Sequence, residues 1–160
     1  MILKLLVVVP CGQAKIWKKY PWKGPTKAKD TYIGSPFKVN RKFAERFADR
    51  WIILSAKYGL IDPDFIIHED YDITFTEPST NPITLDDVKK QLRDMKDLQG
   101  YDAVIALGGQ NYTDIVKQVF INFSQVLLPT EGLPLPEITH KVSSLSKLEK
   151  PEMLKRITKS

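Results

Sequence analysis

Ile2-Leu3-Lys4-Leu5-Leu6-Val7-Val8-Val9-Pro10 is the stretch that decides the fold. It is a β-branched apolar run with almost no alternation, and a strand that is apolar on both faces belongs in the middle of a sheet covered on both sides. Pro10 ends it. Two shorter apolar runs repeat the theme, Trp51–Leu54 and Tyr101–Leu107, and Ser124–Leu128 offers a fourth strand. Between them lie helical patterns. Pro36 suits the first turn of a helix capped by Ser35, with Phe37, Phe43, Ala44 and Phe47 on one face, running to about Ala48. Thr84 ahead of Asp86 and Asp87 marks the start of a second helix, to about Leu98, and Gly100 stops it. A third spans Asn111–Asn122. Strands alternating with helices predict β-α-β units, a mostly parallel central sheet, and an α/β three-layer sandwich.

A chain of 160 residues, 42% hydrophobic and 27% charged, is expected to fold as one domain over residues 1–160. From Pro129 to Pro136 the chain is rich in proline, and a polar, weakly helical tail from about Ser143 is expected to wrap the domain or fray. The apolar opening is interrupted by Lys4, is about half the length needed to span a bilayer, and is followed by no small-residue cleavage pattern. We therefore expect a cytoplasmic protein without a membrane partner. One cysteine and two histidines form no disulfide and no zinc cluster, so neither metal nor cofactor is expected.

The net charge of +5 is unevenly spread. Residues 1–60 hold thirteen Lys and Arg against Asp30, Glu45 and Asp49, so the first part of the chain carries +10 and the rest −5. Such segregation is a footprint of phosphate or nucleic-acid binding; a lysine-rich solvated face is the alternative.

In parallel α/β sheets ligands bind beyond the carboxyl ends of the strands. This rule gathers three loops onto one rim. Cys11, Gly12, Gln13 and Lys15 leave the first strand, where the glycine lets backbone approach a ligand and Gln13 and Lys15 supply polar reach; the spacing is not that of a Walker loop. Ser55, Lys57 and Tyr58 leave the second, with Tyr58 as a surface for stacking a base and Lys57 as a cation for phosphate or leaving-group charge. Gly108, Gly109, Gln110 and Tyr112 leave the third and present a helix N-terminus. The long segment Cys11–Ser35 adds Asp30, Tyr32, Gly34 and Ser35 before a helix start, although Asp30 and Ser35 also suit plain turn capping. A second long loop, Asp62–Pro82, adds His68, Glu69, Asp70, Tyr71 and Asp72, where a general base, a magnesium ligand or simply a solvated acidic loop fits the residue types.

Pro-Cys-x-x-x-Lys at Pro10–Lys15, Asp-x-Tyr-x-Gly at Asp30–Gly34, Leu-Ser-Ala-Lys-Tyr-Gly-Leu at Leu54–Leu60, Pro63 and Tyr71 together resemble the YaaA peroxide-stress family and a shorter relative that carries Cys-Gly-x-x-Lys near its start. The first of these motifs is also similar to one in the core domain of archaeosine synthases, which modify a deazaguanine base in tRNA. The resemblance covers residues 5 to about 75 well, and Gly108–Tyr112 with Pro129–Leu133 loosely. It implies a fold related to uracil-DNA glycosylases and a role in base recognition, repair or modification, with nucleic acid or nucleotide as partner. The glycosylase pair of a water-activating Asp and a catalytic His is not found. On this footing Asp30, Lys57 and Asp70 are the candidate catalytic residues, for N-glycosidic cleavage or base modification. The remaining loop residues would bind substrate. A non-catalytic DNA-binding role in stress protection and an enzyme of free nucleotides are the alternatives.

Overall fold

In the computed structural model, which describes residues 3–158, Leu5–Pro10 forms β1 at the centre of a five-stranded sheet. Ile2, the first residue of the expected strand, lies outside the described residues. Leu5, Val7 and Val9 enter one apolar cluster and Leu6 and Val8 another. The absence of alternation thus has its physical reason: each side of the strand meets a helical layer.

On one side of β1 lies β3 (Arg50–Ser55), and on the other β6 (Ala103–Ala106), both parallel to it. Beyond β6 comes β7 (Gln125–Leu127), also parallel, and beyond β3 comes β4 (Gly59–Ile61), which is antiparallel. The sheet order is β4-β3-β1-β6-β7. Between β1 and β3 the chain forms a one-turn helix α1 (Ile16–Lys19), a two-residue strand β2 (Thr26–Lys27), a one-turn helix α2 (Ala28–Thr31) and the long helix α3 (Ser35–Phe47). Strand β5 (Ile66–Ile67) pairs with β2 as a separate antiparallel ribbon.

Helix α4 (Leu85–Asp94) precedes β6, and α5 (Gln110–Phe120) links β6 to β7. Helices α6 (Leu135–Leu145) and α7 (Lys150–Thr158) end the described chain. Phe37, Phe43 and Phe47 of α3, Val142 and Leu145 of α6 and Met153 of α7 cover the Leu5 side of the sheet; Val88 and Leu92 of α4 and Val116, Val119 and Phe120 of α5 cover the Leu6 side.

Two expectations are corrected and one pair of alternatives is decided. Of a tail from Ser143 that wraps or frays, the described part wraps: α6 packs on α3 and Met153 is fully buried, while Lys159 and Ser160 lie outside the described residues. Helix α3 begins at Ser35 rather than being capped by it, with Gly34 in the cap position and no side-chain cap bond. The second helix stops at Asp94, and a 3-10 turn over Lys96–Leu98 carries the chain onward. Its N-cap is as expected, since Thr84 accepts a hydrogen bond from the Asp87 N–H at 3.1 Å. Among the described residues no helix is long and apolar enough to cross a membrane.

Candidate functional site

Parallel pairing keeps the carboxyl ends of β1, β3 and β6 level. Cys11 N–H donates to Leu54 O at 3.0 Å and Leu107 N–H to Val8 O at 3.1 Å, so the ladder continues to the point where the three loops leave. From β1 the chain turns toward α3 and from β6 toward α5, on opposite faces of the sheet. Between them lies the crevice in which such sheets hold ligands. Cys11 Sγ and Tyr112 Oη meet across it at 3.4 Å.

Gly108 makes this closeness possible. Its φ of +102° lies in the region that favours glycine, and a Cβ there would sit 2.5 Å from Pro10 Cγ. Gly108→Ala is therefore expected to lower stability by about 2 kcal/mol or more. Denaturant unfolding measures this, and a variant as stable as the parent would contradict the placement of the two turns.

Behind the crevice lies a buried row of hydroxyls. Ser55 Oγ accepts from the N–H groups of Lys57 and Tyr58, both at 3.1 Å. A hydroxyl has two lone pairs, so the serine's own proton goes to Tyr71 Oη, 3.0 Å away, and Tyr71 Oη shares a further hydrogen bond with Tyr32 Oη at 2.5 Å. Burial, and then repulsion from the sulfur of Cys11, hold the phenols of Tyr32, Tyr71 and Tyr112 well above the ordinary tyrosine range. All three are neutral donors at neutral pH.

Lys15 enters from the opposite wall. Only 6% exposed, its ammonium donates to Tyr71 O at 2.9 Å and to Gln13 O at 3.4 Å and lies 4.2 Å from the centroid of the Tyr71 ring. None of the described carboxylates comes within 4 Å of it. Burial lowers its pKa, partly opposed by Asp70, Cys11 and Asp72. Two of its three donors are used, and it borders a cavity of about 440 Å³ whose other walls are Gln13, Lys18, Asp70, Tyr71 and Asp72. Asp70 Oδ1 accepts from Tyr71 N–H at 2.8 Å.

The two long loops that build this wall are joined to each other. Lys15 and Tyr32 form an isolated bridge, Ile33 N–H donates to Ala14 O at 2.9 Å, and Ala28 and Lys29 N–H donate to Phe65 O and Pro63 O at 2.7 and 2.9 Å beside the β2–β5 ribbon.

Of the residues chosen from sequence, Cys11, Gln13, Lys15, Tyr32, Ser55, Asp70, Tyr71 and Tyr112 come together here. Gly12 and Gly34 shape the same loops, the first 4.0 Å from Phe37 and the second 3.7 Å from Ala14, measured from the position a Cβ would take.

Other candidates have different surroundings. Asp30 is exposed and paired with Arg41 at 3.5 Å, which is a surface ion pair rather than a catalytic position. Ser35 is exposed at the start of α3. Tyr32 is 2% exposed and cannot receive a base. Lys57 lies 5.4 Å from the Tyr71 ring and 5.2 Å from that of Tyr58, and Tyr58 packs on Phe65 and Tyr71, so neither lines the cavity. Gly109 occupies the cap position of α5, and Gln110 lines a different cavity of about 550 Å³ with Thr113, Lys117 and Thr130. Among the described residues no three His, Cys, Asp or Glu side chains are grouped to hold a metal.

Lys18 also lines the cavity; at i+3 from Lys15 on a helical turn it shares that residue's side.

A sequence family described as a family of unknown function (DUF6884) matches residues 6–146. The chain is similar to the uncharacterized protein YfjM of Bacillus subtilis (strain 168), with 32% identity over 127 residues covering 79% of this chain and 84% of that one. Among solved structures it is similar to AF0587, a protein of unknown function, with a TM-score of 0.41 and 13% identity over 96% of this chain and 48% of that one, so it spans about half the length of that protein. With most of its length inside the matched region, from β1 to the end of α6, the chain belongs to the DUF6884 family.

Proposed function

We propose that the cavity beside Lys15 is a base or nucleoside site, and that the protein processes a nucleic-acid base by breaking its N-glycosidic bond or by altering the ring. The observation that carries this is the buried Lys15 ammonium, free of any carboxylate within 4 Å among the described residues, opening on a cavity that also holds Gln13, Asp70 and Asp72. A base edge bears ring acceptors and exocyclic donors side by side, and a lysine, an amide and two carboxylates complement that mixture. The volume of about 440 Å³ lies in the range of small-molecule sites.

In cleavage, the sugar acquires oxocarbenium character and the departing base acquires negative charge. Asp70 keeps one oxygen for the sugar while the other holds the Tyr71 N–H. Lys15 faces the base. Tyr71, neutral and fixed by Ser55 and Tyr32, forms the wall between them. Kinship with uracil-DNA glycosylases, with YaaA and with the archaeosine synthase core is part of the same proposal. A largely parallel sheet with its cavity at the strand ends supports it, as does the meeting of the motif residues Cys11, Lys15, Ser55 and Tyr71. A second reading, a free nucleotide whose phosphate takes Lys18, is favoured by two lysines on one cavity.

Incubation with free nucleosides and with oligonucleotides bearing uracil or damaged bases, followed by mass spectrometry, is expected to yield abasic products or bases of altered mass. Asp70→Asn should slow turnover about a hundredfold, and Lys57→Ala by no more than a few fold. Absence of product together with absence of nucleoside binding by calorimetry would remove the proposal. Selective binding of mononucleotides over oligomers would shift it to the second reading.

A further inference from the structure

The short loop after α1 combines a fixed backbone with rings left in water. Trp17 turns inward, its Nε1 donating to Lys23 O at 2.7 Å, while Tyr20 N–H donates to Ile16 O at 2.8 Å and Lys23 N–H to Tyr20 O at 3.0 Å. The other two aromatics reach the outside: Trp22 is 79% exposed and Tyr20, partly covered, 37%, with ring centroids 5.5 Å apart in an edge-to-face arrangement. Lys18, Lys19 and Lys23 belong to the same short segment, with Lys19 Nζ 5.6 Å from the centroid of the Tyr20 ring. None has a carboxylate within 4 Å among the described residues, whereas Lys27 and Lys29 further along are both engaged by Asp64.

We propose that this loop is a docking platform for a single-stranded polynucleotide, in which Trp22 and Tyr20 stack on bases and Lys18, Lys19 and Lys23 hold phosphates. Stacking on aromatics together with salt-sensitive contacts from a basic groove is how unpaired strands are held without sequence preference. A duplex hides its base faces and leaves only the phosphate term. An anionic lipid surface needs an amphipathic face to insert, and the single turn of α1 spends its one buried aromatic, Trp17, on the core. Lys18 also lines the cavity, so a strand lying on the platform reaches it directly and can place one nucleotide inside. In that last respect alone the inference rests on the function proposed above; it then makes the substrate a residue within a strand rather than a free nucleoside.

The full-length chain is titrated into a labelled oligothymidylate, into a duplex of equal length, and into phosphatidylserine vesicles, with anisotropy or co-sedimentation as the readout. The single strand is expected to bind tightest. Trp22→Ala, at a position too exposed to disturb folding, should weaken it about tenfold, and Trp22→Phe should restore most of the loss. Replacing Lys18, Lys19 and Lys23 by Gln should reduce the slope of log affinity against log salt by about 2. Unchanged affinity in Trp22→Ala, equal or tighter binding of the duplex, or preference for the vesicles would each overturn the platform. Nucleoside binding in the cavity is expected to be indifferent to Trp22→Ala. A parent protein that binds nucleosides but no single strand therefore condemns the platform alone, and one that binds the single strand through Trp22 but no nucleoside condemns the cavity alone.

Discussion

Lys15→Met is expected to abolish most of the proposed ligand capture while leaving the protein as stable as before, or more so. Desolvating an ammonium costs several kcal/mol. Here no described carboxylate within 4 Å offsets that cost; two carbonyls and the face of Tyr71 do so in part. Methionine fills a similar space without the charge, losing two modest hydrogen bonds and gaining apolar burial. Ligand affinity should fall about ten- to a hundredfold, the range for a hydrogen bond from a charged donor. The pH dependence has a definite sign. Because burial lowers the folded-state pKa of Lys15, the unfolded chain holds more protons between that lowered value and 10.5, so stability rises with pH across this window. Subtracting unfolding curves of Lys15→Met from those of the parent isolates the rise. A variant that unfolds earlier and binds as well as the parent would show that Lys15 is an ordinary structural lysine.

The second large effect lies on the alkaline side and has the opposite sign. Above about pH 10 the tyrosines of an unfolded chain ionise, whereas Tyr32 and Tyr71, held up first by burial, remain protonated in the folded protein. Their contribution is fully present below that pH and is lost as pH rises toward their folded values. Each phenol withdraws about 1.4 kcal/mol of stability per pH unit, so the pair withdraws about 2.8, with Tyr112 acting in the same direction. Against a total of about 5–15 kcal/mol for a domain, unfolding should follow within a few pH units. Tyrosinate absorbance during an alkaline titration should report it as one cooperative step. Tyr32→Phe and Tyr71→Phe should each make the decline shallower. Gradual ionisation of these phenols in the still-folded protein would show that the hydroxyl row is open to water.

What could be read in the sequence follows from how far each signal extends. The strands β1, β3 and β6 are visible because burial on both faces leaves an unbroken apolar run, and α4 because Thr84, Asp86 and Asp87 sign its start. Strand β4 is three residues long behind the Ser55–Tyr58 turn and leaves no period to detect. The ribbon of β2 and β5 is shorter still. Helix α6 is masked by Pro134 and Pro136, which mark a loop in one context and a helix start in another, although Ile138, Val142 and Leu145 already trace one buried face.

At the site, the rule for strand ends places the loops after β1, β3 and β6 side by side, as they are in the structure. It could not say which way a side chain turns. Asp30, in the one-turn helix α2, and Tyr32 at its end stand two positions apart, yet the phenol is driven into the core and the carboxylate out to Arg41. Nor does any local pattern reveal that Lys57, rather than Lys15, is the lysine kept off the cavity, because that depends on Tyr71 arriving from another part of the chain.

The cross-links between the segment after β1 and the segment before α4 constrain how relatives can diverge. With β2 annealed to β5, and Ala28 and Lys29 fastened to Phe65 and Pro63, one extra residue within either stitched span would shift its pairing and turn its side chains to the wrong side. Insertions in the two spans are thus expected to be rare or compensated in tandem.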